Sequence, residues 1–339
     1  MERSTHRRGC LASVVPAALI VLFCGCSGAG PGSVHTQASA SMANATTPLV
    51  TPTFDGSGQG MHPGVIEFAA PWHGYKYWMS MTPYPNNNFY LEDPSILASN
   101  DGLNWQVPPG VTEPVATSVG IHTFDSDLFY DSASDQIWLY WMDEASDGLH
   151  LWRKTSSNGV DWTVPQDLLK LPAYQILSPA VEKTPTGYAL WSVNSGNLGC
   201  SATQTTVELR TSTDGISWTA PQTVNLNQPG YHVWHLDVTF VPSKNEYWAV
   251  YAAYPEASCG TTSLFLARSS DGINWTTYPN PLLTAGTGWD AGQIYRSSMI
   301  YEASTDALRV WYSARNTQHV WHTGYSEAPY SQLQQSLSQ

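Results

Sequence analysis

The sequence predicts an all-β fold, a five-bladed β-propeller, on three observations. Four near-copies of one short box recur: SNDGLNW (Ser99–Trp105), SSNGVDW (Ser156–Trp162), STDGISW (Ser212–Trp218) and SSDGINW (Ser269–Trp275). Their glycines Gly102, Gly159, Gly215 and Gly272 are spaced by 57, 56 and 57 residues, and a fixed period of that length means one supersecondary unit repeated. Between boxes run pairs of short segments rich in β-branched and aromatic residues, bounded by turn residues, which read as strands. Aromatic residues make up 12% of the chain and charged residues only 12%, against a usual charged share of about 25%. Blades that pack sheet on sheet need large apolar side chains between them.

In order along the chain, each unit opens on an inner strand: His62–Phe68, Asp125–Asp131, Leu177–Lys183, His235–Val241 and Arg296–Glu302. Each is followed by a second, more aromatic strand: Gly74–Met81, Gln136–Met142, Gly187–Val193, Glu246–Ala253 and Ala307–Ala314. The box comes next. Asp or Asn before Gly makes a tight turn, because the side chain bonds its own backbone and Gly supplies the positive φ; the Trp three residues on folds back as an apolar cover. The fifth unit has lost its box. A period near 57 residues suits roughly four strands per blade, and no stretch carries a 3.6-residue apolar period, so helices should be scarce. The propeller is expected over residues 59–330, with a tail at 331–339.

The amino terminus is an address. Arg3, His6, Arg7 and Arg8 precede an apolar run from Leu11 to Phe23 that is short for a bilayer span. The run ends Leu22-Phe23-Cys24-Gly25-Cys26, which resembles a bacterial lipoprotein cleavage site with Cys26 carrying the lipid; plain secretion is the alternative. Residues 1–26 are thus expected to be a signal peptide. Residues 27–58, rich in Ser, Ala, Gly, Thr and Pro, are expected to be a flexible linker. The protein is therefore expected to be exported, in the cell envelope or secreted, and to touch a membrane only through that anchor. A formal net charge of −13 argues against nucleic acid or an anionic membrane surface as partner. Cys200 and Cys259 stand 59 residues apart, nearly one repeat, so export and blade geometry together favour a disulfide between neighbouring blades. Nothing in the sequence asks for more than a monomer.

Chemistry should sit where the inner strands begin, on the face away from the boxes, which read as scaffold. Aligned by repeat, the opening residues are His62, Asp125, Leu177, His235 and Arg296, with Gly64, Asp127, Pro179, Asp237 and Ser298 two further on; strand alternation tends to give each set a common outlook. The first blade's loop from Thr82 to Ile96 adds Glu92 and Asp93 to that face, while Asp143 and Glu144 in the second blade read as solvated surface charges. Trp234, Trp289, Tyr84 and Tyr231 lie in loops on the same face and suit either sugar stacking or packing.

The DG-x-x-W boxes, the inner strand DSDLFYD and the count of five units resemble the arabinanase/xylosidase–invertase group of glycoside hydrolases. HPGVIEF, GYKYWMSMTPYPN, EDPSILASNDGLNW, WHLDV and YRSS are more closely similar to a group of bacterial propeller proteins described as glycosidase-like, over nearly all of residues 61–325. The first resemblance implies a base Asp, a modulating Asp and an acid Glu from the first three blades. Only Asp125 matches its place; His62 and Leu177 do not. The resemblance implies a glycoside hydrolase acting on a poly- or oligosaccharide, furanoside or arabinan-type among the options.

Such hydrolysis needs one protonated and one ionised carboxyl group. The expected catalytic residues are Glu92, Asp125 and Asp237, with His62, Asp127, Trp234, His235 and Arg296 binding substrate. A lectin-like or adhesion propeller that binds glycan without cleaving it is the rival reading. His62, His235, Asp125 and Asp237 are also zinc-type residue types, but no two His stand at a short ligand spacing, so neither a cofactor nor a catalytic metal is expected. A structural calcium ion in the channel stays open.

Overall fold

The computed structural model describes residues 41–338 apart from Ala257. The expected signal peptide, Cys26 and the linker up to residue 40 lie outside the described residues. The rest forms five separate antiparallel sheets. The first blade is β1 (Gly60–Trp72), β2 (Tyr75–Pro83) and β3 (Ser95–Ser99). The second is β4 (His122–Asp131), β5 (Gln136–Ala145), β6 (Gly148–Ser156) and β7 (Gln166–Leu171). The third is β8 (Leu177–Thr184), β9 (Gly187–Asn194), β10 (Thr206–Ser212) and β11 (Gln222–Val224). The fourth is β12 (His232–Val241), β13 (Glu246–Tyr254), β14 (Ser263–Ser269) and β15 (Trp275–Thr277), and the fifth β16 (Gln293–Glu302), β17 (Ala307–Arg315) and β18 (Trp321–Pro329). Inner strands β1, β4, β8, β12 and β16 each pack on the next, and β16 returns to β1, so the sheets close into a ring.

Two blades have three strands where four were expected. After the first box, Gln106 meets Ala98 in a single bridge before Pro108 and Pro109 turn the chain away. The fifth blade has no box to return the chain. Its outer edge is instead flanked by residues 41–49, a segment expected to be flexible linker. Leu49 N donates to Thr323 O, Ser326 Oγ to Ala43 O, and Met42 N to Leu282 O. The low charge of this stretch suggested a tether, but Met42 and Leu49 give it apolar anchors against the fifth-blade and first-blade cores. The expected tail also departs from expectation, as α1 (Tyr330–Leu337) buries Tyr330, Leu333 and Leu337.

The boxes are scaffold, as their sequence implied. Ser99 Oγ accepts from Gly102 N at 2.9 Å, and Asp101 Oδ1 accepts from Leu103 N and Asn104 N at 2.9 and 2.8 Å. Each box glycine lies under an aromatic ring of the preceding blade: Gly159 under Trp78, Gly215 under Trp138, Gly272 under Trp191 and Gly102 under Trp311. The box tryptophans themselves divide. Trp105 and Trp275 are buried, while Trp162 and Trp218 are only partly so. Trp78, Trp191, Trp248 and Trp311 are each 1% exposed. Where the fifth box is missing, α1 supplies the cover: Tyr330 packs on Trp248 with ring centroids 4.3 Å apart. Cys200 and Cys259 form the expected disulfide, which joins the β9–β10 loop to the β13–β14 loop.

Candidate active site

Every inner strand begins with a break in its ladder: between Met61 and Gly64, Phe124 and Asp127, Leu177 and Ala180, Val233 and His235, and Ile294 and Ser297. At the first three, His62, Asp125 and Ser178 take left-handed backbone angles, with φ of 56°, 51° and 53°. Such a conformation costs a non-glycine residue on the order of 1–3 kcal/mol and persists where the surroundings enforce it. A bulge re-aims side chains, so the third-blade counterpart of His62 and Asp125 is Ser178, not Leu177. Ser178 N donates to Asp125 Oδ2 at 2.8 Å and its Oγ donates to Leu236 O at 3.0 Å. That bond holds the Asp125 carboxylate in place from the neighbouring blade.

Three side chains converge. His62 Nε2 is 3.4 Å and His235 Nδ1 3.3 Å from Asp125 Oδ1, and all three residues are at most 3% exposed. Among the described residues none of those three atoms has a hydrogen-bond partner, nor does His235 Nε2, and a buried polar atom left unpaired is costly. Ligand atoms ~2.1 Å from a tetrahedral metal ion sit about 3.4 Å from one another, which matches the spacing of each imidazole nitrogen from the carboxylate oxygen, and all three atoms lie within 4.8 Å of one another. His62 Nδ1 pairs with Thr82 Oγ1 at 3.0 Å, the kind of outer contact that fixes a ligating imidazole. Burial pushes the His62 pKa down to about 3, only partly offset by Asp125. Burial, then the Arg296 charge, also hold His235 well below the usual histidine range. Both rings are thus neutral and offer lone pairs. His62, Asp125 and His235 form a donor set fit for a divalent metal ion.

The cluster faces a pocket of about 610 Å³, a size typical of small-ligand sites. Its lining comes from the strand openings and second-to-third strand loops that the sequence singled out, and no box residue contributes. Glu92 lies on its wall, 6% exposed. Burial, then the nearby Asp125 charge, raise its carboxyl well above the usual range. Tyr295 packs against both histidine rings, centroids 4.4 Å from His235 and 5.7 Å from His62. Its hydroxyl accepts from Trp234 Nε1 at 2.7 Å, leaving its own proton to donate.

Of the expected site residues, the structure brings Glu92, Asp125, His62, His235 and Trp234 to the pocket. Asp237, expected to be catalytic, and Asp127 and Arg296, expected to bind substrate, do not line it. The bulges break the even alternation on which their placement rested. Arg296 is 1% exposed and donates from Nη1 to Ser126 O at 2.6 Å and from Nη2 to Pro179 O at 3.0 Å. It also lies 3.6 Å from Asp127, so it ties three blades together beneath the pocket. Burial raises Asp127 to about 7 and Asp237 to about 6.

Tyr84 lines the pocket, while Trp289 packs on Tyr312 and Tyr231 on Phe265. Asp93 accepts from Thr123 Oγ1 at 2.8 Å, and Asp143 from Val119 N at 2.8 Å. Asp93 thus bonds the start of β4 and Asp143 the chain that leads into it, whereas Glu144, read as a surface charge, lines the pocket 3.7 Å from His122. Sequence reasoning passed over Tyr295, whose only signal was its place beside Arg296, and Thr82 at the end of β2.

No family model matches the chain. It is 32% identical over 308 residues to the A type blood N-acetyl-alpha-D-galactosamine deacetylase of Flavonifractor plautii, across 76% of this chain and 40% of that protein. The chain thus spans about two fifths of the length of the curated relative it matches. It also resembles the crystal structure of an N-acetylgalactosamine deacetylase from F. plautii in complex with blood group B trisaccharide. There the TM-score is 0.82 at 28% identity, covering 88% of this chain and 98% of that one. The catalytic domain of an alpha-L-arabinofuranosidase from Coprinopsis cinerea superposes with a TM-score of 0.59 at 14% identity, over 85% of this chain and 98% of that one. The last likeness is one of fold alone. Together they place this chain among all-β five-bladed propellers.

Proposed function

We propose that this chain is a carbohydrate-active hydrolase that removes the acetyl group from an N-acetylated sugar within a glycan. The observation that carries the reading is the His62–Asp125–His235 cluster on the pocket floor, its facing atoms buried and unpaired. The likeness to the F. plautii deacetylase supports an amide as the bond attacked. The glycosidic reading needs two carboxyl groups across the bond; Glu92 and Asp125 both line the pocket, but Asp125 is braced among two imidazoles, and Asp237 lies elsewhere.

A divalent ion held by His62 Nε2, Asp125 Oδ1 and His235 Nδ1 would supply Lewis-acid polarisation of the acyl oxygen and lower the pKa of nearby water. The protein's own groups do the rest. Positive charge added at the cluster favours the ionised form of Glu92, which then takes a proton from the attacking water. As the water oxygen bonds the acyl carbon, the Tyr295 hydroxyl donates to the oxygen on which charge develops. The carbon–nitrogen bond breaks, Glu92 passes its proton to the nitrogen, and acetate and a free amino sugar leave. Trp234 fixes the Tyr295 hydroxyl, and Tyr84 and Phe89 wall the sugar.

The test is incubation with oligosaccharides ending in N-acetylgalactosamine or N-acetylglucosamine, with acetate and reducing ends both assayed. Acetate without chain cleavage is expected. New reducing ends with the acetyl group retained would establish glycosidic cleavage instead, and binding without either product would establish a glycan-binding module.

A further inference from the structure

Resting on that reading, we infer that the pocket also holds a subsite for an anionic substituent, a carboxylate or sulfate ester, on the sugar next to the acetamido sugar, built from Arg315 and His319. Among the described residues, Arg210, Arg268, Arg296 and Arg309 each pair with a carboxylate. Arg153 is buried against Trp138 and caps the Gly215 carbonyl. Arg315 lines the pocket with no carboxylate partner among the described residues. Its Nε donates to Gln293 Oε1 at 2.9 Å and its Nη1 meets His319 Nδ1 at 2.6 Å, while Nη2 has no partner among the described residues.

The guanidinium is held in place rather than loose. It lies over the Trp321 ring, 5.6 Å from the centroid. Gln293 is fixed at its other end by donating Nε2–H to Cys259 O at 2.5 Å, and Cys259 is anchored by the disulfide. His319 sits in the β17–β18 loop with φ of 64°, which turns it back beside Arg315. The planar fork of an arginine matches a carboxylate or sulfate oxyanion.

The placement suits a neighbouring sugar. Tyr295 touches His235 at 4.4 Å and Trp321 at 5.4 Å between ring centroids. Three ring contacts therefore separate the guanidinium from the cluster. In a chain of net charge −13, an unpaired cation set into the main pocket is best accounted for by a charge that arrives with the ligand.

The probes are a disaccharide of an N-acetylhexosamine linked to a uronic acid, its carboxyl-reduced neutral counterpart, and the same neutral compound bearing a sulfate ester. Calorimetry with the Glu92→Gln variant should show the uronate or the sulfated probe binding at least tenfold tighter than the neutral one, the preference shrinking with added salt. Whichever anion is favoured identifies the source. Arg315→Gln should abolish the preference, and Arg315→Lys should restore part of it, with circular dichroism reporting the fold of both. Equal affinities in the parent, or a preference that survives Arg315→Gln, would overturn the subsite. Acetate release from the neutral probe reads the deacetylase assignment separately: if no probe loses acetate while the preference stands, that assignment fails and the subsite does not.

Discussion

Trp311 of the fifth blade lies over Gly102 of the first, and its Nε1 donates to the Gly102 carbonyl at 2.7 Å. The ring is shut by this contact and its neighbours, since no strand passes from the first sheet to the last. The same key joins Trp191 of the third blade to Gly272 of the fourth, at 2.8 Å. A motif first visible as a spelling is, in the folded protein, the seam between blades.

That seam predicts a packing cost. Gly159 has φ of 75°, and a Cβ there would lie 2.2 Å from the Trp78 ring; Gly56 has φ of 74° with open space around it. Alanine at either position bears the left-handed strain of about 1–2 kcal/mol. Gly159→Ala should lose a further ~1–3 kcal/mol from overpacking. Urea denaturation of the two variants isolates the difference, and equal losses would refute the packing role.

Purified protein should carry close to one equivalent of divalent metal by elemental analysis. Chelation should lower its melting temperature, because an ion at 100 times its Kd contributes about 2.7 kcal/mol. His62→Ala and His235→Ala should abolish both the bound metal and the response to chelator. A parent protein indifferent to chelator and metal alike counts against the ligand set.

Glu92→Gln should lower turnover by a factor of about 10² or more, as loss of a proton-transfer group does. The fold should be unharmed, because glutamine keeps the shape of this buried side chain. Parent-level acetate release by this variant would remove Glu92 from the mechanism.

Stability should fall as pH rises from about 4.5 toward 8. Burial raises the Glu182 pKa to about 8, against bonds from Phe240 N and Thr239 Oγ1 and with help from the Asp237 charge. The folded protein thus keeps a proton that the unfolded chain gives up near its ordinary value. Its stabilising contribution is complete below that value and is lost as pH climbs through the folded pKa. Glu182→Gln should flatten the melting-temperature profile over this window. It should not abolish the slope, because Asp127 and Asp237 titrate at about 7 and 6. A profile unchanged by the substitution would show that Glu182 ionises freely.

Replacing Cys200 and Cys259 by serine should cost ~2–4 kcal/mol in denaturation. It should also loosen Gln293, whose amide rests on the Cys259 carbonyl. No change in the denaturation midpoint under oxidising conditions would rule out a structural role for the bridge.

The blade count, the scaffold role of the boxes, the disulfide and the face that carries the pocket were legible because each follows from a period of nearly constant length. What periodicity cannot carry is a deviation from it. Ser178, not Leu177, matches His62 and Asp125 because a bulge shifts the strand opening by one residue. The same local breaks kept Asp237 and Arg296 out of the pocket. The metal-type cluster escaped a search for short His spacing because its members come from the first, second and fourth blades, brought together only by ring closure. Met42 and Leu49 were lost in a stretch whose composition reads as linker, since two apolar anchors do not outweigh a run of small polar residues.

The covering of Trp248 by Tyr330 has a consequence for how this molecule comes apart. In a row of repeats the outermost unit has only one neighbour and frays first. Here the last blade borrows a helix to complete what its own sequence lacks, so every blade is gripped on both sides and the row has no end. Opening at the seam between the fourth and fifth blades uncovers Trp248. A ligand cluster drawn from three blades stays assembled only while the circle is shut.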